Sequence, residues 1–207
     1  MKQRNVAILI FDDVEVLDFC GPFEVFSVAG RREGSDPFNT YTVAEKTPIS
    51  ARNSLSVNPK YTLETCPQPD ILVVPGGGGR HTDGTPFGTR REMHNETLLT
   101  WVNGVYPKTE HVLSVCTGAL ILAKAGLATN MAATTHHAAF DELRKVAPNT
   151  EVREGERIVD NGKIIFSGGI SAGIDAAFYL VSKLLGNATA LETAAYMEYN
   201  WEAASHG

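Results

Sequence analysis

Short apolar runs alternate with helical stretches through most of this chain, and that alternation limits its fold more than any other feature. Val6 to Phe11 and Ile71 to Val74 are apolar at every position, and His111 to Val115 nearly so. Successive strand residues face opposite sides of a sheet, so runs without polar alternation need cover on both faces. The helices expected between them are Gly21 to Ala29, closed by Gly30, Glu92 to Asn103, and Thr117 to Ala125, closed by Gly126. Ala138 to Val146, Ser171 to Leu184 and Thr189 to Tyr199 follow as further helices. Thr40 to Glu45 and Ala132 to Thr135 add strands, Ile49 to Val57 reads as a small hairpin or irregular excursion, and Arg31 to Pro37 as a polar surface turn. Asn161-Gly162, flanked by Arg157 to Asp160 and Lys163 to Phe166, is the strongest hairpin signal in the chain. The pattern predicts an α/β fold, a mostly parallel sheet with helices on both faces.

Length agrees with one such sheet. A chain of 207 residues supplies one core but hardly two, and without repeat, low-complexity tract or linker it reads as a single domain over residues 1–207. Net charge is −6 and the Lys and Arg residues are scattered, so neither nucleic acid nor an anionic membrane is an expected partner. The first apolar run stops at Asp12-Asp13, too short for a signal-peptide core or a membrane span. Cys20, Cys66 and Cys116 are odd in number and widely spaced, which argues against a disulfide framework and for a reducing cytoplasm.

Ligands of parallel sheets bind beyond the carboxyl ends of the strands, so the residues that follow each strand matter most. After the first come Asp12, Asp13, Glu15 and Asp18; after Ile71 to Val74 come Pro75 and four glycines; after His111 to Val115 come Cys116-Thr117-Gly118. A cysteine at a strand-to-helix turn presents its sulfur to open space, and the helix N-terminus favours its thiolate. Gly118 fits such a turn because it carries no side chain to strike the neighbouring strand. Most free cysteines are small buried hydrophobes; the strand end and Gly118 set Cys116 apart from Cys20 and Cys66. The amides of Thr117, Gly77 and Gly78 are candidates for an oxyanion hole. Asp18, ahead of Gly21-Pro22 at the expected helix entry, is the candidate acid or alternatively a helix cap, and position alone hardly separates it from the other three acids. His136 and His137 also follow a strand; one is a candidate base or pocket residue, and neighbours in sequence do not make a paired metal site. The candidate site is thus Cys116, Asp18 and Thr117 for chemistry, with Gly77, Gly78 and His136 for substrate.

The segments V-A-I-L-I-F, L-D-F-C-G-P-F-E-V-F, D-I-L-V-V-P-G-G-G-G, S-V-C-T-G-A-L-I-L-A-K-A-G-L, A-T-T-H and G-G-I-S-A-G-I-D-A-A-F occur in this order over nearly the whole chain. In them the chain resembles the ThiJ/PfpI superfamily of the class I glutamine amidotransferase-like fold, and most closely its isonitrile (isocyanide) hydratases. The resemblance implies a three-layer flavodoxin-like sandwich with a cysteine nucleophile elbow. It further implies Cys116 as nucleophile, Asp18 as acid and water-positioning group, Thr117 as a hydroxyl near the reacting carbon, no metal or cofactor, and a homodimer. The implied reaction adds the thiolate to R–N≡C, giving a thioimidate that water releases as an N-substituted formamide. Thr117 stands where the intracellular-protease branch has His, Ser167 to Ala172 lacks the His-x-Glu pair of the amidotransferases, and His137 replaces a Trp of many hydratase-like sequences. Two other activities share this architecture: glyoxalase- or deglycase-like processing of reactive carbonyls, and redox or ligand sensing through the same cysteine.

Overall fold

The computed structural model describes residues 2–31 and 34–202. In chain order its elements begin with β1 (Arg4–Leu9), α1 (Val16–Val28), β2 (Phe38–Ala44), β3 (Ile49–Ala51), β4 (Leu55–Val57), β5 (Tyr61–Thr62) and β6 (Ile71–Val74). They continue with β7 (Gly78–Arg80), β8 (Pro86–Gly88), α2 (Thr89–Glu92), α3 (Glu96–Val105), β9 (His111–Val115), α4 (Gly118–Lys124), β10 (Ala132–Ala133) and α5 (Phe140–Val146). The last are β11 (Glu151–Val152), β12 (Ile158–Asp160), β13 (Ile164–Ser167), α6 (Ala172–Leu185) and α7 (Asn187–Tyr196).

Seven strands form the main sheet in the order β12-β13-β9-β6-β1-β2-β5. Every neighbouring pair is parallel except β12 and β13, the hairpin on Asn161-Gly162. The four residues Val6 to Leu9 and all of β6 are fully buried, so both faces of the sheet centre are covered. This is the expected α/β architecture. None of the helices among the described residues is long and apolar enough to cross a membrane.

Register brings the strand ends together. Ile8 of β1 lies opposite Val73 of β6, and Val74 lies opposite Ser114 of β9. Val115 is in turn opposite Ser167 of β13. The segments after β1, β6, β9 and β13 therefore leave the sheet side by side.

Several boundaries differ from the sequence reading, each for a local reason. The first helix starts at Val16 rather than Gly21, so Pro22 lies inside it. Gly21 answers a contact instead of a helix entry: a side chain there would strike Ile174 of α6. The helix expected from Glu92 is two helices, because Asn95 caps a fresh start by accepting from the Leu98 amide at 3.2 Å. The four-glycine loop continues into β7, which pairs antiparallel with β8. The excursion at Ile49 to Val57 is a β3–β4 hairpin, and β10 pairs in parallel with β11, a strand the sequence did not announce.

Candidate active site

Between β9 and α4 the chain turns within two residues, and Cys116 adopts φ +57° to make the turn. That left-handed conformation is uncommon for a residue with a side chain and persists only where its surroundings hold it. Here the Cys116 amide donates to the Gly168 carbonyl at 2.9 Å, and its carbonyl accepts from the Thr135 hydroxyl at 2.7 Å. Segments after β13 and β10 thus clamp the elbow from both sides. A side chain at Gly118 would overlap the Val74 carbonyl at the end of β6. Only glycine lets α4 start so close to the neighbouring strand.

Asp18 sits in the first turn of α1 and is fully buried. Its Oδ2 accepts from the Gly76 amide at 2.9 Å. Its Oδ1 has no hydrogen-bond partner among the described residues, and the carboxyl as a whole interacts with the Cys116 thiol. The other three acids of this loop are engaged elsewhere: Asp12 with Lys46 at 2.5 Å, Asp13 with Arg91 at 3.2 Å and Glu15 with Arg52 at 2.8 Å. Burial thus separates Asp18 from the group among which position hardly chose.

Burial also raises the Asp18 carboxyl to about 7, against the pull of the Gly76 amide and the Cys116 thiol, while Glu15 pushes it further up. Cys116 is driven the same way, to about 12, by burial first and then by the Asp18 charge; the amides of Ile170 and Thr117 act in the opposite sense. A thiol simply acidified by its helix, as the sequence suggested, is therefore not what this environment gives. The two groups titrate as a pair. The first proton leaves near neutral pH, and the second is kept well into the alkaline range because two anions in contact would be buried together.

Thr117 is buried, and its Oγ1 accepts from the Gly77 amide at 3.0 Å and donates to Thr89 Oγ1 at 3.1 Å. The Gly77 amide is consequently not free for an oxyanion, contrary to the sequence reading. Its carbonyl accepts from the Thr89 amide at 3.0 Å, which pins the loop at both ends of one residue. His136 Nδ1 accepts from the Ala138 amide at 3.2 Å, so the neutral ring carries its proton on Nε2. Burial, His137 and Arg90 hold the His136 pKa below its usual value. Its ring lies against Gly169, where a side chain would collide with it, and stacks on His137 with centroids 4.2 Å apart.

Cys116, Thr117, Gly77, Gly78 and His136 all open onto one cavity of about 970 Å³. The sequence did not single out Arg90 or Ile170 for this cavity, nor Thr89, buried behind it as the partner of Thr117. For Ile170 a signal existed: it follows β13, a fourth strand end, and adopts φ +50°. Thr89 and Arg90 arrive through the β7–β8 hairpin, which has no clear sequence mark.

Comparison with known proteins agrees with this fold. Residues 4–184 match the profile of the DJ-1/PfpI family. An isonitrile hydratase of Pseudomonas putida is 31% identical over 94% of this chain and 78% of its own length. The HTH-type transcriptional regulator CdhR of Pseudomonas aeruginosa is 26% identical over 92% of this chain and 53% of the regulator. A ThiJ/PfpI family protein from Pseudomonas syringae superposes with a TM-score of 0.82 at 26% identity, covering 99% of this chain and 78% of that one. Drosophila melanogaster DJ-1beta shares the fold, with a TM-score of 0.79 at 16% identity over 97% of this chain and 100% of its own.

Proposed function

The chain belongs to the DJ-1/PfpI family, and from that premise we propose that it hydrates an isocyanide to an N-substituted formamide, with Cys116 as nucleophile and Asp18 as proton donor. One observation carries the reading: a fully buried carboxyl lies against the thiol of a cysteine held at an elbow. The similarity to the Pseudomonas putida isonitrile hydratase supports it.

The terminal carbon of R–N≡C takes up a sulfur and a proton, and the Cys116–Asp18 pair holds both. Sulfur attacks the carbon while the pair's proton is delivered to it, giving the thioimidate R–N=CH–S–Cys116. Water adds across the C=N bond with Asp18 guiding its proton, and the tetrahedral adduct R–NH–CH(OH)–S–Cys116 collapses to R–NH–CHO, returning a proton to the pair. The sum is R–N≡C plus water giving the formamide. A raised carboxyl pKa suits this work, because a general acid acts best when its pKa lies near the operating pH. The amides of Thr117 and Ile170 favour the sulfur's negative charge whenever it appears. Thr117 Oγ1 is occupied by Gly77 and Thr89, so its part is to hold the loop and the elbow together.

An activity panel of cyclohexyl isocyanide, methylglyoxal and a peptide, run with wild type and Cys116→Ala, tests the proposal. Formamide production that disappears in the variant is the expected result. Cys116-dependent loss of methylglyoxal without formamide production would transfer the assignment to carbonyl processing.

A further inference from the structure

The walls of the cavity carry charge that the chemistry at Cys116 does not use. Arg52, Arg80, Arg90 and Lys145 reach it, against Glu15, Asp141 and Glu142. Two of the cations are neutralised in place, Arg52 by Glu15 at 2.8 Å and Arg90 by Glu142 at 2.6 Å. Asp141 is paired with Arg144 at 3.0 Å, a cation that is not itself part of the lining. Arg80 and Lys145 remain without an acidic partner among the described residues; the Arg80 guanidinium donates to the Gly84 carbonyl at 3.3 Å. The chain as a whole carries −6. Four cations against three anions give this lining a small positive excess in an acidic molecule, and Arg80 and Lys145, both exposed at its edge, are the charges left to attract an anion.

Shape points the same way. Small-molecule pockets are ordinarily apolar with a few polar anchors. Here the aliphatic lining is confined to Met93, Ala138, Val146 and Ile170, in a cavity of about 970 Å³. A simple alkyl isocyanide would leave most of that space and all of that charge uncontacted.

We propose that the natural substrate carries an anionic group, a carboxylate in the simplest case, which Arg80 and Lys145 hold while the reacting carbon meets Cys116. Resting on the hydratase reading above, this makes the substrate class isocyano acids and the product class formamido acids.

The test compares 4-isocyanobenzoate with methyl 4-isocyanobenzoate in wild type and in an Arg80→Glu/Lys145→Glu double variant. The wild-type ratio of kcat/KM should favour the carboxylate by at least about tenfold at low salt and fall as salt is added. Reversing both charges should lower that ratio at least about fivefold. Taking the ratio between variants cancels the electronic difference between the two compounds. A second arm uses no isocyanide: the rate of Cys116 alkylation by iodoacetate relative to iodoacetamide, with exposed Cys20 as the reference thiol in the same molecule. The iodoacetate ratio at Cys116, and not at Cys20, should drop in the double variant. If that drop occurs without any isocyanide turnover, the hydratase reading fails and the anion site stands. If turnover occurs but both ratios ignore the charge reversal, the anion site is refuted and the hydratase reading survives. Cys116 ratios that match Cys20 in both proteins refute it as well.

Discussion

Among the described residues Asp18 has no counter-ion, and its charge is opposed by burial and by Glu15. Its carboxylate in turn holds the Cys116 thiol up. Acid strength and thiol reactivity are therefore coupled with opposite signs, and Asp18→Asn separates them. The Asn amide keeps an oxygen for the Gly76 amide and loses the transferable proton. Isocyanide hydration should fall at least ~100-fold, the usual loss for a missing general acid. Alkylation of Cys116 by iodoacetamide at pH 8 should become faster, since the neighbouring negative charge that opposed thiolate formation is gone. Alkylation slowed together with hydration would instead make Asp18 the activator of the thiol, and the proton-donor role would fall. The members of this pair were visible in the sequence because each follows a strand, and parallel strands deliver such residues to one edge. What the sequence did not reveal was the choice of Asp18 over Asp12, Asp13 and Glu15, which depends on tertiary burial that no local pattern reports. The same holds for the Gly77 amide, whose partner Thr117 lies forty positions away in the chain.

Elements in this fold are set by close backbone approaches as much as by propensity, and glycines mark where. Gly118 and Gly104 both lie in helices, α4 and α3, yet alanine should act in opposite directions at the two. A Cβ at Gly118 overlaps the Val74 carbonyl, whereas at Gly104 it meets nothing within 4 Å. Gly118→Ala should destabilise by about 2–3 kcal/mol, the upper part of the range for overpacking a tight core, and lower the Tm by roughly 4–12 °C. Gly104→Ala should raise stability by ~0.5–1 kcal/mol through helix propensity alone. Thermal melts of both variants check the pair; equal and small effects would mean that α4 can slide away from β6 and that the elbow is not under steric control. The elements most legible in the sequence were the core strands: the ranges of β6, buried throughout, and β9, buried after His111, coincide with the runs read from the sequence. Helix starts were less legible. Gly21-Pro22 looks like an entry signal, but Gly21 is explained by Ile174 packing across from α6, a contact between residues 153 positions apart. Asn95, by contrast, is a capping residue type ahead of an apolar helix and marked the true start of α3 in plain sight. The β7–β8 hairpin and β5 were missed because strands of two or three residues are too short to show any period.

For the molecule as a whole, keeping an acid buried against a thiol has a thermodynamic consequence that titration can expose. The folded Asp18 pKa of about 7 lies above the 3.8 of a free carboxyl, so between those values the native state holds a proton that the unfolded chain has released. Unfolding then releases a proton, and stability declines as pH rises from about 4 to 7, levelling off above. Asp12, Asp70 and Asp160 work the other way: their pKa values are lowered, and their stabilisation is lost only as pH falls through the acid range. His111 and His136 are also lowered, so they favour the folded state less as pH drops below about 6.5. A wild-type pH profile sums all of these and isolates none. The difference between wild type and Asp18→Asn isolates the first, because every other group is common to both. That difference should be smallest below about pH 3, where Asp18 is protonated in both states and resembles the amide in charge. It should grow in favour of the variant up to about pH 7–8, to an order of 4 kcal/mol or some 8–16 °C in Tm. The catalytically weakest protein would then be the more stable one at neutral pH, as expected where a site holds a group against its preferred environment. Parallel Tm profiles across pH 4 to 8 would show that the Asp18 carboxyl is solvated or paired in the native state, and the proton it lends to the Cys116 reaction would have to come from elsewhere.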